Sequence, residues 1–365
     1  LTQLYFITLT NIVNSSKIDI VTIIVKVTET GQEQELNTRV NKARAIGEIT
    51  AGLAKPLTQE TEAVFLKGPV RTFAALMRRG AGNACTEKKY ERKGIMELSG
   101  NTILITGGTS GIGLELATHL SKRKNTILVT GRDPHKLREL QQALPNVHTY
   151  QSDVSDPAAI VSLYQRVTND FPDLNVLINN AGVMRMLSLN GGHGLQDIGR
   201  EIEINLLGPV RMVEQFLPFL KTKRHAAIIN TSSGLAFLPL PSAPIYCATK
   251  AALHSYTQSL RVQLHNTPIK VFELAPPPTS TPLMEHFGSD SFNSQSPGVM
   301  SVEKMVRAAL LGLGKDTYEI RPGTSNVLKV MSRVAPTLML RQLSRPVAKE
   351  LAKAQLTGVQ QEAKR

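Results

Sequence analysis

The 365-residue chain has no tryptophan, only two cysteines and an aromatic content of 5%. Two thiols cannot build a disulfide framework, so the fold must be held by a buried core. No stretch of about 18 apolar residues runs free of charge, which argues against a membrane-spanning helix. The richest early run, Ile18 to Val27, is broken by Asp19 and Lys26. Few aromatics also argue against a nucleic-acid reader that stacks bases. The histidines show no metal-ligand spacing, and Cys85 and Cys247 form no C-x-x-C pair, so neither a metal nor thiol catalysis is expected.

What the chain does have is 41% hydrophobic residues and a formal charge of +13. That apolar fraction excludes a wholly disordered chain. The charge gathers at the ends: residues 1–95 hold 14 basic and 9 acidic residues, and residues 341–365 hold six and two. Only +4 remains on the residues between, which reads as a solvated surface and not a nucleic-acid footprint. The cysteine usage fits a reducing cytoplasm.

Residues 1–95 differ in character from the rest. β-branched runs could form a strand or two, while residues 80–95 offer little to bury. No secretory signal is read at the N-terminus. Glu91-Arg92-Lys93-Gly94 before Met96 matches what a translated ribosome-binding site would look like. Two expectations stand: an upstream extension from a misplaced start or a poorly ordered appendage, and a small recognition module.

From Met96 the pattern sharpens. Thr102–Thr106 is a short apolar run suited to a buried parallel strand. A glycine turn follows, Gly107-Gly108-Thr109-Ser110-Gly111-Ile112-Gly113, then an amphipathic helix through Leu120 and a second strand, Thr126 to Thr130. Strand, glycine turn, helix and strand open the sheet of a dinucleotide-binding domain. A pyrophosphate must approach the backbone closely at the helix N-terminus, and side chains at Gly107, Gly111 or Gly113 would obstruct it.

The spacing Thr-Gly-x-x-x-Gly-x-Gly, with the motifs that follow in order, resembles the short-chain dehydrogenase/reductase family. These motifs are Asp153-Val154, Asn179-Asn180-Ala181-Gly182, Asn205, Ser232-Ser233 and Tyr246-Cys247-Ala248-Thr249-Lys250. The resemblance covers roughly residues 96–330. Ala275-Pro276-Pro277-Pro278 and Thr281-Pro282-Leu283-Met284 resemble the branch related to the bacterial DltE oxidoreductases. Pro277 stands where the family usually has glycine.

This resemblance implies an α/β, Rossmann-type doubly wound parallel sheet of about seven strands, with helices on both faces, over residues 96–345. Residues 346–365 are expected to form a helix or tail. The implied activity is hydride transfer between a nicotinamide and a carbonyl or secondary alcohol. Tyr246 would be the acid/base, Ser233 would polarise the substrate oxygen, and Asn205 would hold a water linking Lys250 to solvent. Ser232 is the alternative if the register slips. A Lys ammonium one helical turn from a phenol is expected to lower its pKa toward the working pH.

The implied cofactor contacts are Gly107, Thr109, Ser110, Gly111, Ile112, Gly113, Asp153, Val154, Asn180, Ala181, Gly182, Tyr246, Lys250, Pro276 and Thr281. Arg132, beside Gly131 at the end of the second strand, can pair with a 2′-phosphate and favours NADP(H) over NAD(H). The substrate is expected to be small and apolar, and the assembly a homodimer or homotetramer. A rival reading is a catalytically idle NADP-binding or redox-sensing protein. Residues 288–298 read as a mobile loop. Residues 325–345 show an apolar face that fits a lid, a dimer contact or membrane-surface attachment, with packing on the protein's own surface or a dimer partner favoured.

Overall fold

The computed structural model describes residues 96–187, 189, 195–285 and 298–345, together with the backbone of three strands nearer the N-terminus. The chain divides into two compact units, Leu1–Glu91 and Arg92–Arg365. In the first, β1 (Phe6–Thr10), β2 (Ile20–Glu29) and β3 (Gln32–Asn41) form an antiparallel meander. The boundary falls a few residues before the expected one. The loop expected at 288–298 and the tail at 346–365 lie almost wholly outside the described residues.

The second unit is a seven-stranded, all-parallel sheet. Its strands are β4 (Thr102–Thr106), β5 (Thr126–Gly131), β6 (Val147–Gln151), β7 (Leu174–Asn179), β8 (Ala226–Thr231), β9 (Ile269–Leu274) and β10 (Glu319–Ile320). The spatial order is β10-β9-β8-β7-β4-β5-β6. The chain builds outward from β4 through β5 to β6, then returns to the other side of β4 as β7. That reversal leaves a crevice beyond the carboxyl ends of β4 and β7, where this architecture places its ligands.

Strand periodicity explains the two helical layers. Ile103, Ile105, Ile127, Val129, Val176 and Ile178 point to one face. There they meet α1 (Gly111–Ser121), α2 (Pro134–Ala143) and α8 (Val302–Gly314). Leu104, Leu128, Leu177, Ile228 and Val271 point to the other. They meet α3 (Pro157–Asp170), α5 (Gly208–Lys221) and α6 (Pro244–Gln263). Leu104, Leu128 and Leu177 are wholly buried, and truncating one to alanine would cost about 2–5 kcal/mol. This is the doubly wound sheet that the sequence predicts.

Between β7 and α5 runs α4 (Leu195–Ile202), which passes into a π-helical turn, Glu203–Leu207. The sequence predicts an ordinary helix at this place. A short helix, α7 (Pro282–Glu285), follows β9. The last described elements are α9 (Thr324–Val334) and α10 (residues 336–345). Ala335 ends α9, and Pro336 opens α10 at a position where its missing N–H costs nothing.

Candidate active site

A cleft of about 1020 Å³ opens over the carboxyl edge of the sheet. The glycine turn forms its floor. Gly107 has a positive φ of 63°, and a Cβ there would lie 2.7 Å from the Ala181 Cα. At Gly113 a Cβ would meet the Gly107 carbonyl oxygen and Asn180 Nδ2, both at 2.5 Å. Any larger residue at these two positions must displace backbone. Asn180 fixes the turn: its Nδ2 donates to the carbonyls of Thr106 and Gly107, both at 3.1 Å. Thr106 Oγ1 accepts from the amides of Asn180 and Ala181. The Asn180 side chain therefore stitches β4 to β7 beneath the cleft.

Ser110 begins α1 without a side-chain cap, leaving first-turn amides for an anion. Thr109, Ser110, Gly111 and Ile112 line the cleft, and Thr281 leans over Gly111, where a Cβ would be 3.2 Å from its methyl group. This glycine-lined cradle at a helix start fits a dinucleotide pyrophosphate.

The far end of the cleft is lined by Arg132, Lys136, Asp153 and Val154. Arg132 Nη1 is 3.9 Å from Asp153 Oδ2, a loose pair, because Asp153 Oδ1 is held by the Ser155 amide and hydroxyl. Asp133 is turned away to cap α2, accepting from the amides of His135 and Lys136. The bond from His135 holds its carboxyl below the usual range. Lys136 was not singled out from sequence. Its spacing, four residues after Arg132 across a helix start, was the available signal.

Tyr246, Lys250 and Ser233 meet at the centre, all buried and all facing the cleft. Tyr246 and Lys250 share one face of α6, while Ser233 heads the turn after β8. Ser233 hydrogen-bonds Tyr246 and also accepts from the Leu235 amide at 3.1 Å. Ser232 lines the cleft too, but its hydroxyl donates to the buried Glu273. Of the two serines, Ser233 has the hydroxyl on the phenol.

Burial dominates the electrostatics here. It pushes the Tyr246 phenol up to about 12, against the lowering effect of the Ser233 hydrogen bond. Desolvation also drives the Lys250 ammonium down to about 8. The expected lowering of the phenol by the ammonium is therefore corrected. Lys250 Nζ lies 5.7 Å from the Tyr246 ring centre and spends a donor on the Thr231 carbonyl at 2.9 Å.

Asn205 sits in the π-helical turn, fully buried. Its Oδ1 accepts from the Val183 amide and its Nδ2 donates to the Val183 carbonyl, each at 2.8 Å. A further bond reaches Thr249 Oγ1 at 3.3 Å. The side chain pins the segment after Gly182 to α6, so its amide is already committed to protein partners.

Pro276, Pro277 and Pro278 form one lip. Pro276 accepts from the Gly234 amide, and Pro278 accepts from the Met300 amide. Opposite lie Met184, Leu235, Leu240, Met284, Leu328 and Met339, an apolar wall with few groups that can hydrogen-bond.

Two buried carboxylates escaped the sequence analysis. Glu201, raised by desolvation, accepts from the Arg185 amide at 3.0 Å. Glu273 Oε2 pairs with His254 Nδ1 at 2.7 Å, and Glu319 stands close by. Among the described residues, His254, Glu273 and Glu319 are the one cluster with metal-ligand spacing. Glu319 is already paired with Lys329 and with Arg321 at 3.0 Å, so the cluster's charge is balanced by protein cations. Cys247 is buried and accepts from the Leu240 amide, as a packed small residue would.

The profile of the short chain dehydrogenase family matches residues 101–291. An uncharacterized oxidoreductase, DltE, of Bacillus subtilis (strain 168) is 43% identical over 226 residues, covering 62% of this chain and 89% of its own. The NADP-dependent 3-hydroxy acid dehydrogenase YdfG of Escherichia coli O6:H1 is 30% identical over 177 residues, 48% of this chain and 71% of its own. Among solved structures, a short chain dehydrogenase from Burkholderia cenocepacia J2315 in complex with NADP superposes with a TM-score of 0.59 at 25% identity. It covers 68% of this chain and 99% of that one. One from Sphingobium yanoikuyae in complex with NADPH gives 0.54 at 30% identity, covering 60% and 86%.

Proposed function

Given that the chain belongs to the short-chain dehydrogenase/reductase family and is an NAD(P)-dependent oxidoreductase, we propose that it exchanges a hydride between NADP(H) and an apolar carbonyl or secondary alcohol, with Tyr246 as acid and base. The observation that carries this reading is the meeting of Tyr246, Ser233 and Lys250 in the same cleft as the glycine cradle. When bound, the nicotinamide supplies or accepts the hydride. Gly107 to Gly113 would hold the pyrophosphate, and Lys250, near Tyr246, would face the nicotinamide ribose.

Tyr246 is a neutral phenol at neutral pH, ready to give its proton to a carbonyl oxygen. Ser233, on the same phenol, orients it and polarises that oxygen. Asn205 holds the Val183 backbone against Thr249, which keeps the catalytic helix in register with the floor of the cleft. The apolar wall supports an apolar substrate.

Arg132 and Lys136 support NADP(H): two cations line the adenosine end, and no carboxylate stands at Gly131, the last residue of β5. The relative named as NADP-dependent and the two neighbours holding NADP or NADPH point the same way. All of these residues fall within 96–345, so we assign the chemistry to that domain.

The test is oxidation of NADPH and of NADH over a panel of ketones and aldehydes, with Tyr246→Phe alongside. Turnover should prefer NADPH and fall about 10²–10⁴-fold in the variant, while NADPH binding followed by fluorescence stays intact. A clear NADH preference defeats the cofactor assignment. An unchanged variant defeats the role of Tyr246 and favours an idle binding protein.

A further inference from the structure

The C-terminal helices carry more apolar surface than folding explains. On α9, Val327, Val330 and Val334 stand at i, i+3 and i+7, one face of the helix. They are 56%, 52% and 75% exposed, and Leu338 on α10 continues the face at 55%. Valine is a poor helix former, so an unburied valine stripe adds nothing to the helix itself. The opposite side of the same pair, Leu328, Met339 and Leu343, lines the cleft. Val327 belongs to both surfaces, so the stripe starts at the cleft mouth.

The charge around the stripe is of one sign. From Arg321 to Lys349 the sequence has six Lys and Arg and no Asp or Glu. Arg321 and Lys329 are engaged with Glu319. Arg333, Arg341 and Arg345 are exposed, and no ion pair among the described residues holds them. A second copy of this chain is a poor cover. A two-fold contact would set these arginines against their own counterparts with no carboxylate in the patch. An anionic lipid surface meets both needs, with phosphates for the arginines and the acyl boundary for the valines.

We propose that α9 and α10 dock on an anionic bilayer surface and open the cleft toward it, so that the substrate is a lipophilic carbonyl or alcohol dissolved in that bilayer. The substrate clause rests on the oxidoreductase reading above; the docking clause does not.

The experiment is co-sedimentation of the full chain with phosphatidylcholine vesicles, with and without phosphatidylglycerol. Binding should require phosphatidylglycerol and be lost near 1 M salt, where screening acts within about 3 Å. Arg333→Gln with Arg341→Gln should weaken it about 25-fold, roughly fivefold for each cation removed. Val330→Asp with Val334→Asp should abolish it, while Val262→Asp, an exposed valine on α6, should not. None of these changes touches the cleft, so turnover of a short water-soluble ketone stays at the parent level. Turnover of a long-chain ketone delivered in vesicles should fall with binding.

Failure to sediment with phosphatidylglycerol, or equal binding by the valine double variant, overturns docking. A change of particle size by light scattering in that variant also overturns it, because the stripe would then be an interface between copies. If no ketone turns over but vesicle binding behaves as stated, the oxidoreductase reading fails and the docking surface stands.

Discussion

Lys250 is held in its site at a cost to the fold, and that cost can be measured. Its ammonium is buried, finds only the Thr231 carbonyl as a hydrogen-bond partner among the described residues, and is driven from 10.5 to about 8 by desolvation. A fall of that size corresponds to about 3 kcal/mol working against the charged folded state at pH 7. Methionine has similar length and no charge. Lys250→Met removes that penalty and loses a hydrogen bond of about 1 kcal/mol, for a net gain of about 2 kcal/mol. In a domain of this size the melting temperature should rise by about 4–8 °C.

The sign with pH follows from proton binding. Between about 8 and 10.5 the unfolded lysine holds its proton and the folded one does not. The parent protein therefore gains stability as pH rises through that window. The variant has no such group, so its advantage should shrink toward zero by about pH 9.5. Melting curves by circular dichroism at pH 7 and pH 9.5, beside an NADPH turnover assay, test the argument. Expected are a hotter melt at pH 7, convergence at pH 9.5, and turnover lost at least about 100-fold. A variant that melts lower at pH 7, or an advantage independent of pH, would refute it.

Other substitutions separate roles within the cleft. Arg132→Ala with Lys136→Ala should raise the KM for NADPH about 10–100-fold and leave that for NADH nearly unchanged, as steady-state kinetics with both cofactors would show. Gly113→Ala places a methyl group 2.5 Å from a backbone oxygen, so dinucleotide binding by calorimetry should fall below detection. Ser233→Ala should cut kcat about 100-fold or more with little change in melting. Ser232→Ala should do the reverse, costing about 1–3 kcal/mol by leaving buried Glu273 short of a donor.

The central strands were legible because they are short apolar runs, whereas β6 (Val-His-Thr-Tyr-Gln) and β10 (Glu-Ile) are not. Thr102–Thr106 is found as read, and Thr126–Gly131 extends its reading by one residue. The residues that meet in the cleft, Ser233, Tyr246 and Lys250, were legible as parts of motifs that stand in order along the sequence. What escaped depends on distance in sequence. The Glu273–His254 pair joins β9 to α6, nineteen residues apart, and no local pattern announces it. Ser232 and Ser233 look alike in sequence, and only the neighbour across the sheet, Glu273, separates their hydroxyls. The phenol was misjudged because one helical turn implies proximity to the ammonium but says nothing about how dry the site is. The π-helical turn at Glu203–Leu207 carries no composition that marks it.

The bridge between Thr279 and Met300 bears on how such a protein can change. Met300 donates to Pro278 and accepts from Ser280, so the intervening stretch leaves and rejoins the domain at nearly one point. Its base belongs to the proline lip, where the Gly234 amide, after β8, already holds Pro276. Doubling the length of a stretch tied off in this way costs only about 0.6 kcal/mol in closure entropy. Insertions, deletions or whole replacements there are therefore cheap for the fold. A lineage could change the length of this stretch while the proline lip and the glycine cradle stay as they are.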